Sequence, residues 1–393
     1  MASPKLFEPI AIRGVVVKNR IVIAPMHQYA AVDGFAQDWH LTNIGRYAAG
    51  GAGVVFVEST KFDRRGCGTI GDLGIWSDGH VAGLRRLADH IRANGAVPAI
   101  QLGHSGRKAR RTRPWEGGEP LTRERAEAEG VTDWDDWELV SSTDRAPSHR
   151  SPAPRALSRT DVQALVVGWG EGVKRAAEAG FDIVEIHGAH GYLVHQFLSP
   201  ASNDRTDEYG GSEANRRRFL LEIVEEARRF WPAEKPLFVR LSVEDDCGFG
   251  PDQSVNVARA VAPLGADVID CSSGGMTGSP VGSGTPSYGY QVPYAARIKR
   301  DTNLLSMAVG LIVHADQAEG ILQDDHADLI AIAREAMFNP NWPMDAAMKL
   351  GAPIGSASSL SRVNYWLENR RTAGQVMPST FGAGIERLTH RDD

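Results

Sequence analysis

Apolar residues gather into eight short runs along the chain: 20–26 (RIVIAPM), 53–60 (GVVFVEST), 97–104 (VPAIQLGH), 181–188 (FDIVEIHG), 236–243 (PLFVRLSV), 266–273 (ADVIDCSS), 303–310 (NLLSMAVG) and 327–333 (ADLIAIA). Most are near-continuous rather than alternating, the pattern of strands covered on both faces in a parallel sheet. Between the runs the spacing turns helical. From Ser158 to Ala179, Val162, Leu165, Val166, Trp169 and Val173 recur at three and four residues. Ser158 and Asp161 make a capping-box pattern at its start, and Gly180 offers a stop. Helices are also predicted over 78–94, 214–230, 252–264, 291–300 and 315–323. Strands and helices alternating in this way predict an α/β protein with a TIM (β/α)8 barrel.

Two segments depart from a minimal barrel. PIAIRGVVVKNR, at the start, reads as two short strands around Arg13 and Gly14, a hairpin closing the barrel's N-terminal end. The connection from Ser105 to Leu157 is charged, Pro-rich and holds Trp115, Trp134 and Trp137, which suits a lid better than an ordinary loop. One domain is expected over 1–393, with 360–393 as a C-terminal tail.

A net charge of -6 and the lack of long basic runs predict no nucleic-acid partner. The one dense stretch, from Arg107 to Arg113, could bind phosphate groups, but a solvated loop face is the preferred reading. Neither a signal-like start nor a run of about 18 apolar residues is seen, so no membrane association and a cytoplasmic location are expected. Three widely spaced cysteines, Cys67, Cys247 and Cys271, predict neither a disulfide framework nor an iron–sulfur cluster.

In this fold, chemistry sits at the C-terminal ends of strands. That rim would collect Pro25, Met26, His27, Gln28 and Tyr29 from strand one, Gln101 and His104 from strand three, His187, His190 and Tyr192 from strand four, and Arg240 from strand five. In HGAHGYL at 187–193, two imidazoles can polarise one carbonyl oxygen and Tyr192 can deliver a proton, with Gly188 and Gly191 allowing a tight turn. A metal pair or two structural histidines are the alternatives. Arg240, inside an apolar strand, needs a buried acceptor, either a cofactor's polar edge or an internal carboxylate such as Glu185. Gly310 with Ala333 and Arg334, at the ends of strands seven and eight, suits a phosphate. The GxGxxG at 66–71 does not join a strand directly to a helix, so it reads as a loop, and 274–284 reads as a mobile loop at the barrel mouth.

With these residues assembled, the chain strongly resembles the Old Yellow Enzyme family, and within it the bacterial branch of xenobiotic reductases. The resemblance is carried by LFEP at 6–9, KNRIVIAPMHQY at 18–29, DWH at 38–40, GIWSD at 74–78, QLGHSGRKA at 101–109, RPWEG at 113–117, HGAHGYL at 187–193 and SNDRTDEYGGS at 202–212. It implies noncovalent FMN, with Ala24, Pro25, Met26, His27 and Ser59 at the ring system, Gln101 and Arg240 at its pyrimidine edge, and Gly310, Ala333 and Arg334 at the phosphate. It implies a ping-pong ene-reductase in which NAD(P)H reduces FMN and hydride then passes to the β-carbon of an α,β-unsaturated carbonyl compound. His187 and His190 would bind the carbonyl, Tyr192 would protonate the α-carbon and Tyr29 would line the pocket. His27 stands where this branch usually has cysteine, and Val309 where relatives can carry an aromatic. YWLENRR at 365–371 resembles a tail entering a neighbouring subunit's site, with Trp366 and Arg370 as contacts, so a homodimer or higher homo-oligomer is implied; a helix packed on its own barrel is the alternative. Other flavin chemistry, such as amine demethylation or nitro reduction, and a degenerate flavin-binding protein are the competing functions.

Overall fold

The computed structural model describes residues 3–148, 151–277 and 286–372, with 370–372 as main chain only. A hairpin of β1 (Ile10–Ile12) and β2 (Val15–Val17) turns at Arg13, which adopts φ 51°. The barrel follows with β3 (Ile21–Ile23), β4 (Val54–Lys61) and β5 (Val97–Gly103). A small parallel pair, β6 (Val140–Ser141) and β7 (Arg155–Ala156), interrupts it. It resumes with β8 (Ile183–Gly188), β9 (Leu237–Ser242), β10 (Val268–Ser272), β11 (Leu305–Ala308) and β12 (Leu329–Ile332). Strands β3, β4, β5 and β8 to β12 close into one barrel of parallel neighbours, and each falls inside one of the eight apolar runs except β4, which runs one residue further to Lys61.

The periodicity of two sorts the core. Val22, Ala24, Val54, Phe56, Ala99, Phe238 and Met307 fill the barrel's interior, and Ile12 and Val17 of the hairpin pack onto them from below. Ile21, Ile23, Val55, Val57 and Val184 face outward against the helices. Ser158 and Asp161 exchange the two hydrogen bonds of the capping box at the head of helix Arg159–Glu178, and Gly180 (φ 85°) ends that element.

The segment after β5 is a packed wall rather than a bare lid. Trp137 is buried with Cys67, Leu121 and Ala126, and the Arg64 and Arg110 guanidiniums lie 4.1 and 4.2 Å from the Trp137 and Trp134 ring centres. The expectation of a solvated face at 107–113 is overturned. Arg107 is only 6% exposed, and Lys108, Arg110, Arg111 and Arg113 are half-buried, because this arm folds inward over the barrel mouth. The GxGxxG at 66–71 is a loop after β4, and most of 274–284 lies outside the described residues.

Candidate active site

Geometry at the mouth begins with a bulge. Val57 pairs with Ile100 but Ser59 pairs with Gln101, so Glu58 is an extra residue in β4. Glu58 turns toward helix Asp38–Ala49, where His40 Nε2 lies 3.0 Å from one carboxylate oxygen. The other oxygen meets His27 Nδ1 at 3.3 Å and accepts from the Gln28 N–H at 2.9 Å. A carboxylate only accepts, so both imidazoles donate to it, and the Gln37 N–H donates to His40 Nδ1 at 2.9 Å. Burial works to raise the Glu58 pKa, but the hydrogen bonds and charge of His27 and His40 outweigh it and hold the carboxyl at about 2.

That anchoring sets the His27 ring against Tyr29, stacked at 5.4 Å between centres, and Tyr29 meets Trp115 edge-on at 5.5 Å. Tyr29 is left-handed (φ 56°), an uncommon conformation for a non-glycine residue. Burial, reinforced by Asp72 and Glu58, pushes its phenol up to about 12.

Across the mouth, His187 ends β8 and its ring lies 5.2 Å from that of His190 and 4.9 Å from that of Tyr192. His187 Nδ1 accepts the Ala189 N–H at 3.3 Å, which assigns its proton to Nε2 and makes that nitrogen a donor. His190 Nε2 pairs with Ser272 Oγ at 2.7 Å. Burial, then neighbouring positive groups, pushes both imidazoles well below their usual pKa, which favours their neutral forms. Burial raises the Tyr192 phenol, keeping its proton in place. The tight turn comes from His190 itself (φ 59°) and Gly191 (φ 69°), not from Gly188. Gly188 is in the strand, where a Cβ would come within 2.9 Å of the Arg240 carbonyl oxygen.

Two cavities open here. One, of about 460 Å³, is lined by His27, Tyr29, Asp72, Lys108, Arg111 and Tyr192 among others. The second, of about 530 Å³, brings together His190, Arg240, Val309, Gly310, Ala333 and Arg334. Arg240 meets a carboxylate, but it is Asp270 at 3.2 Å rather than Glu185, and its Nε has no partner. Glu185 accepts instead from Gln101 Nε2 at 2.7 Å, and burial with the Asp270 charge raises its pKa well above normal. Gly310 (φ 104°) holds a backbone conformation that strains any L side chain. Arg334 is exposed and makes no ion pair among the described residues.

Other expected residues sit less directly. Ser59 Oγ accepts from Lys61 Nζ at 3.1 Å inside the barrel. Ala24 belongs to the barrel interior, Pro25 is half-buried, and Met26 packs against the outer helical layer, so only its main chain is available at the mouth. Trp366, 71% exposed on helix Ser361–Thr372, lines neither cavity; Val363 and Leu367 hold that helix on its own barrel. The Arg370 side chain lies outside the described residues. Sequence reasoning missed Glu58, Asp270, and the buried pair of Lys61 with Asp72 at 3.7 Å. An acid inside VVFVEST or VIDCS carries the same signal as Arg240 in its strand.

Among the described residues, no group of His, Cys, Asp or Glu is placed to hold a metal ion, and no helix is long and apolar enough to cross a membrane. The three cysteines are free. The model of the NADH:flavin oxidoreductase / NADH oxidase family matches residues 5–352. An NADPH dehydrogenase of Geobacillus sp. (strain WCH70) is 41% identical over 361 residues, 91% of this chain and 98% of that protein. The NADPH dehydrogenase of Bacillus subtilis (strain 168) is 38% identical over 354 residues, 89% and 96% of the two chains. The solved structure of morphinone reductase superposes with a TM-score of 0.72 at 25% identity, over 89% of this chain and 91% of that one. An eight-stranded barrel with this mouth, matched by that model across its whole length, belongs to the NADH:flavin oxidoreductase / NADH oxidase family and is an NAD(P)H-dependent oxidoreductase with FMN as its cofactor.

Proposed function

We propose that the enzyme is an ene-reductase acting on small α,β-unsaturated carbonyl compounds. The observation that carries this reading is the cluster of neutral His187 and His190 beside a protonated Tyr192. FMN supplies the hydride chemistry when bound, after reduction by NAD(P)H. The residues fit it: among the described residues Arg240 Nε and Glu185 Oε2 are buried without hydrogen-bond partners, and Arg334 is an exposed cation with no ion pair. On this reading Arg240 and Gln101 hold the polar edge of the ring, Gly310, Ala333 and Arg334 hold the phosphate, and the main chain at Ala24, Pro25 and Met26 with Ser59 and His27 borders the ring.

His187 donates from Nε2 to the substrate's carbonyl oxygen, and His190 supports the same oxygen. Because both imidazoles are neutral, they stabilise enolate charge by oriented N–H dipoles without giving up a proton. Tyr192 keeps its proton until the α-carbon becomes basic enough to take it, and His27 and Tyr29 shape the opposite wall. The exposed Trp366 supports a homo-oligomer in which the tail of one subunit completes a neighbour's pocket.

Anaerobic titration tests the reading. NADPH should bleach the flavin absorbance and 2-cyclohexenone should restore it. A flavin that NADPH bleaches but no enone restores would overturn the ene-reductase assignment.

A further inference from the structure

The arm that folds over the mouth and the loop after β4 beneath it treat their cations unevenly. Arg64 pairs with Asp133, Arg65 with Asp63, Arg113 with Glu129, Arg123 with Asp135 and Arg155 with Glu138. Lys108 and Arg111, on the same arm, have no carboxylate within ion-pair distance among the described residues. Among the described residues, Lys108 Nζ donates only to the carbonyl oxygens of His190, at 2.9 Å, and Gly275. Arg111 donates to the Gly118 carbonyl oxygen and to Ser151 Oγ, both at 2.9 Å. Behind them Arg107 touches Met276 Sδ, and its buried Nε has no partner.

Neutral acceptors solvate an enclosed cation without cancelling its charge. The acid that lines the same cavity, Asp72, is already engaged by Lys61 at 3.7 Å, the Gly68 and Thr69 N–H groups and the Thr69 hydroxyl. Asp246 reaches Lys108 only through space and accepts from Thr277. The sequence at 149–150 and 278–285 adds His149 and Arg150 but no acid. Burial, and then Arg107 and Arg111, push the Lys108 ammonium down to about 8, an effect that a bound anion would reverse.

We infer that Lys108 and Arg111 form an anion subsite in the catalytic cavity, taking the carboxylate or phosphate of a ligand whose other end reaches Tyr192. Lys108 Nζ lies 6.0 Å from the Tyr192 ring centre and both line one cavity with His27 and Tyr29, so the anionic group and the reacting bond belong to one compact molecule. The charge can come from the unsaturated substrate, as an enone acid, or from the nicotinamide nucleotide's phosphates. This deepens the ene-reductase reading and rests on it for the identity of the ligand, not for the existence of the subsite.

The test uses oxidised holoenzyme, titrated at low ionic strength with trans-3-benzoylacrylate and with its neutral amide, following the flavin spectrum. The acid should bind about tenfold tighter than the amide, and the advantage should shrink as salt rises. Arg111→Gln should weaken acid binding about tenfold and amide binding less than about twofold, and Arg111→Lys should recover most of the loss. If Arg111→Gln instead raises KM for NADPH and NADH and leaves the acid unaffected, the subsite stands and its anion is the reductant's phosphate. Equal losses for acid and amide, or no loss for any charged ligand, would overturn the inference. Failure of every enone to reoxidise the reduced enzyme removes the ene-reductase reading alone, because the binding titration is unaffected by it.

Discussion

On the flank of the mouth built from β3 and β4, the buried charges are matched within the chain: Glu58 is held by His27, His40 and Gln28, and Lys61 by Asp72. On the flank built from β9 to β12, the match is incomplete. Among the described residues, Arg240 has Asp270 but an unpartnered Nε, and Arg334 projects beside a cavity of about 530 Å³ with no ion pair. The first flank is complete without a ligand, whereas on the proposed reading the cofactor would complete the second. Changes on the first should therefore act on the folded protein itself, and changes on the second on cofactor affinity.

Tyr192 stands between the flanks and should show the largest effect. Tyr192→Phe should slow substrate-driven reoxidation by roughly 10²- to 10⁴-fold in stopped-flow measurements while leaving reduction by NADPH nearly unchanged. Equal slowing of both half-reactions would mean that the phenol positions the flavin rather than delivering a proton.

Glu58→Gln leaves one carbonyl acceptor for three donors and should destabilise the protein without cofactor by about 2–3 kcal/mol in chemical denaturation. The same residue sets an acid limit. Its folded pKa lies below the ordinary 4.5, so the carboxylate stabilises the fold above that value and the contribution fades as pH falls from about 4.5 toward 2. The loss should be about 3 kcal/mol in the parent and largely absent in Glu58→Gln. Equal acid sensitivity in both would show that the matched flank draws its stability elsewhere.

Arg334→Gln should do the reverse: FMN affinity falls about tenfold by fluorescence titration while unfolding of the cofactor-free protein is unchanged. The smallest stability effect belongs to Trp366. Trp366→Ala should alter stability by less than about 0.5 kcal/mol, as exposed positions do. A drop in turnover without a drop in Tm would place this tail in a neighbour's site.

The barrel was legible because fully buried strands write themselves as apolar runs, and each of the eight runs holds one barrel strand. His187, His190 and Tyr192 were legible because polar groups at a strand's end have few structural uses. Helix Asp38–Ala49 escaped notice, since its buried face includes His40, Asn43 and Tyr47, which do not register as an apolar stripe. The partners of the visible residues were harder. That Arg240 meets Asp270 rather than Glu185 depends on the register of β9 against β10, where the two residues are paired. The role of Glu58 depends on a one-residue bulge that alternation alone does not reveal. The arm at 107–113 misled because dense positive charge ordinarily marks a wet surface, and here the chain turns it inward.

Tyr29 and His190 both hold left-handed backbone at the mouth. Such a conformation restricts the alphabet of replacements before any chemistry is considered: Asn, Asp and Gly enter readily, while Val, Ile and Thr clash with their own main chain. A mutational library at position 190 is thus already filtered by geometry, and the accessible variants run first through asparagine, which keeps a hydrogen-bond donor where the imidazole had one. At these two positions one dihedral angle, before any contact with a ligand, sets which side chains the fold will hold.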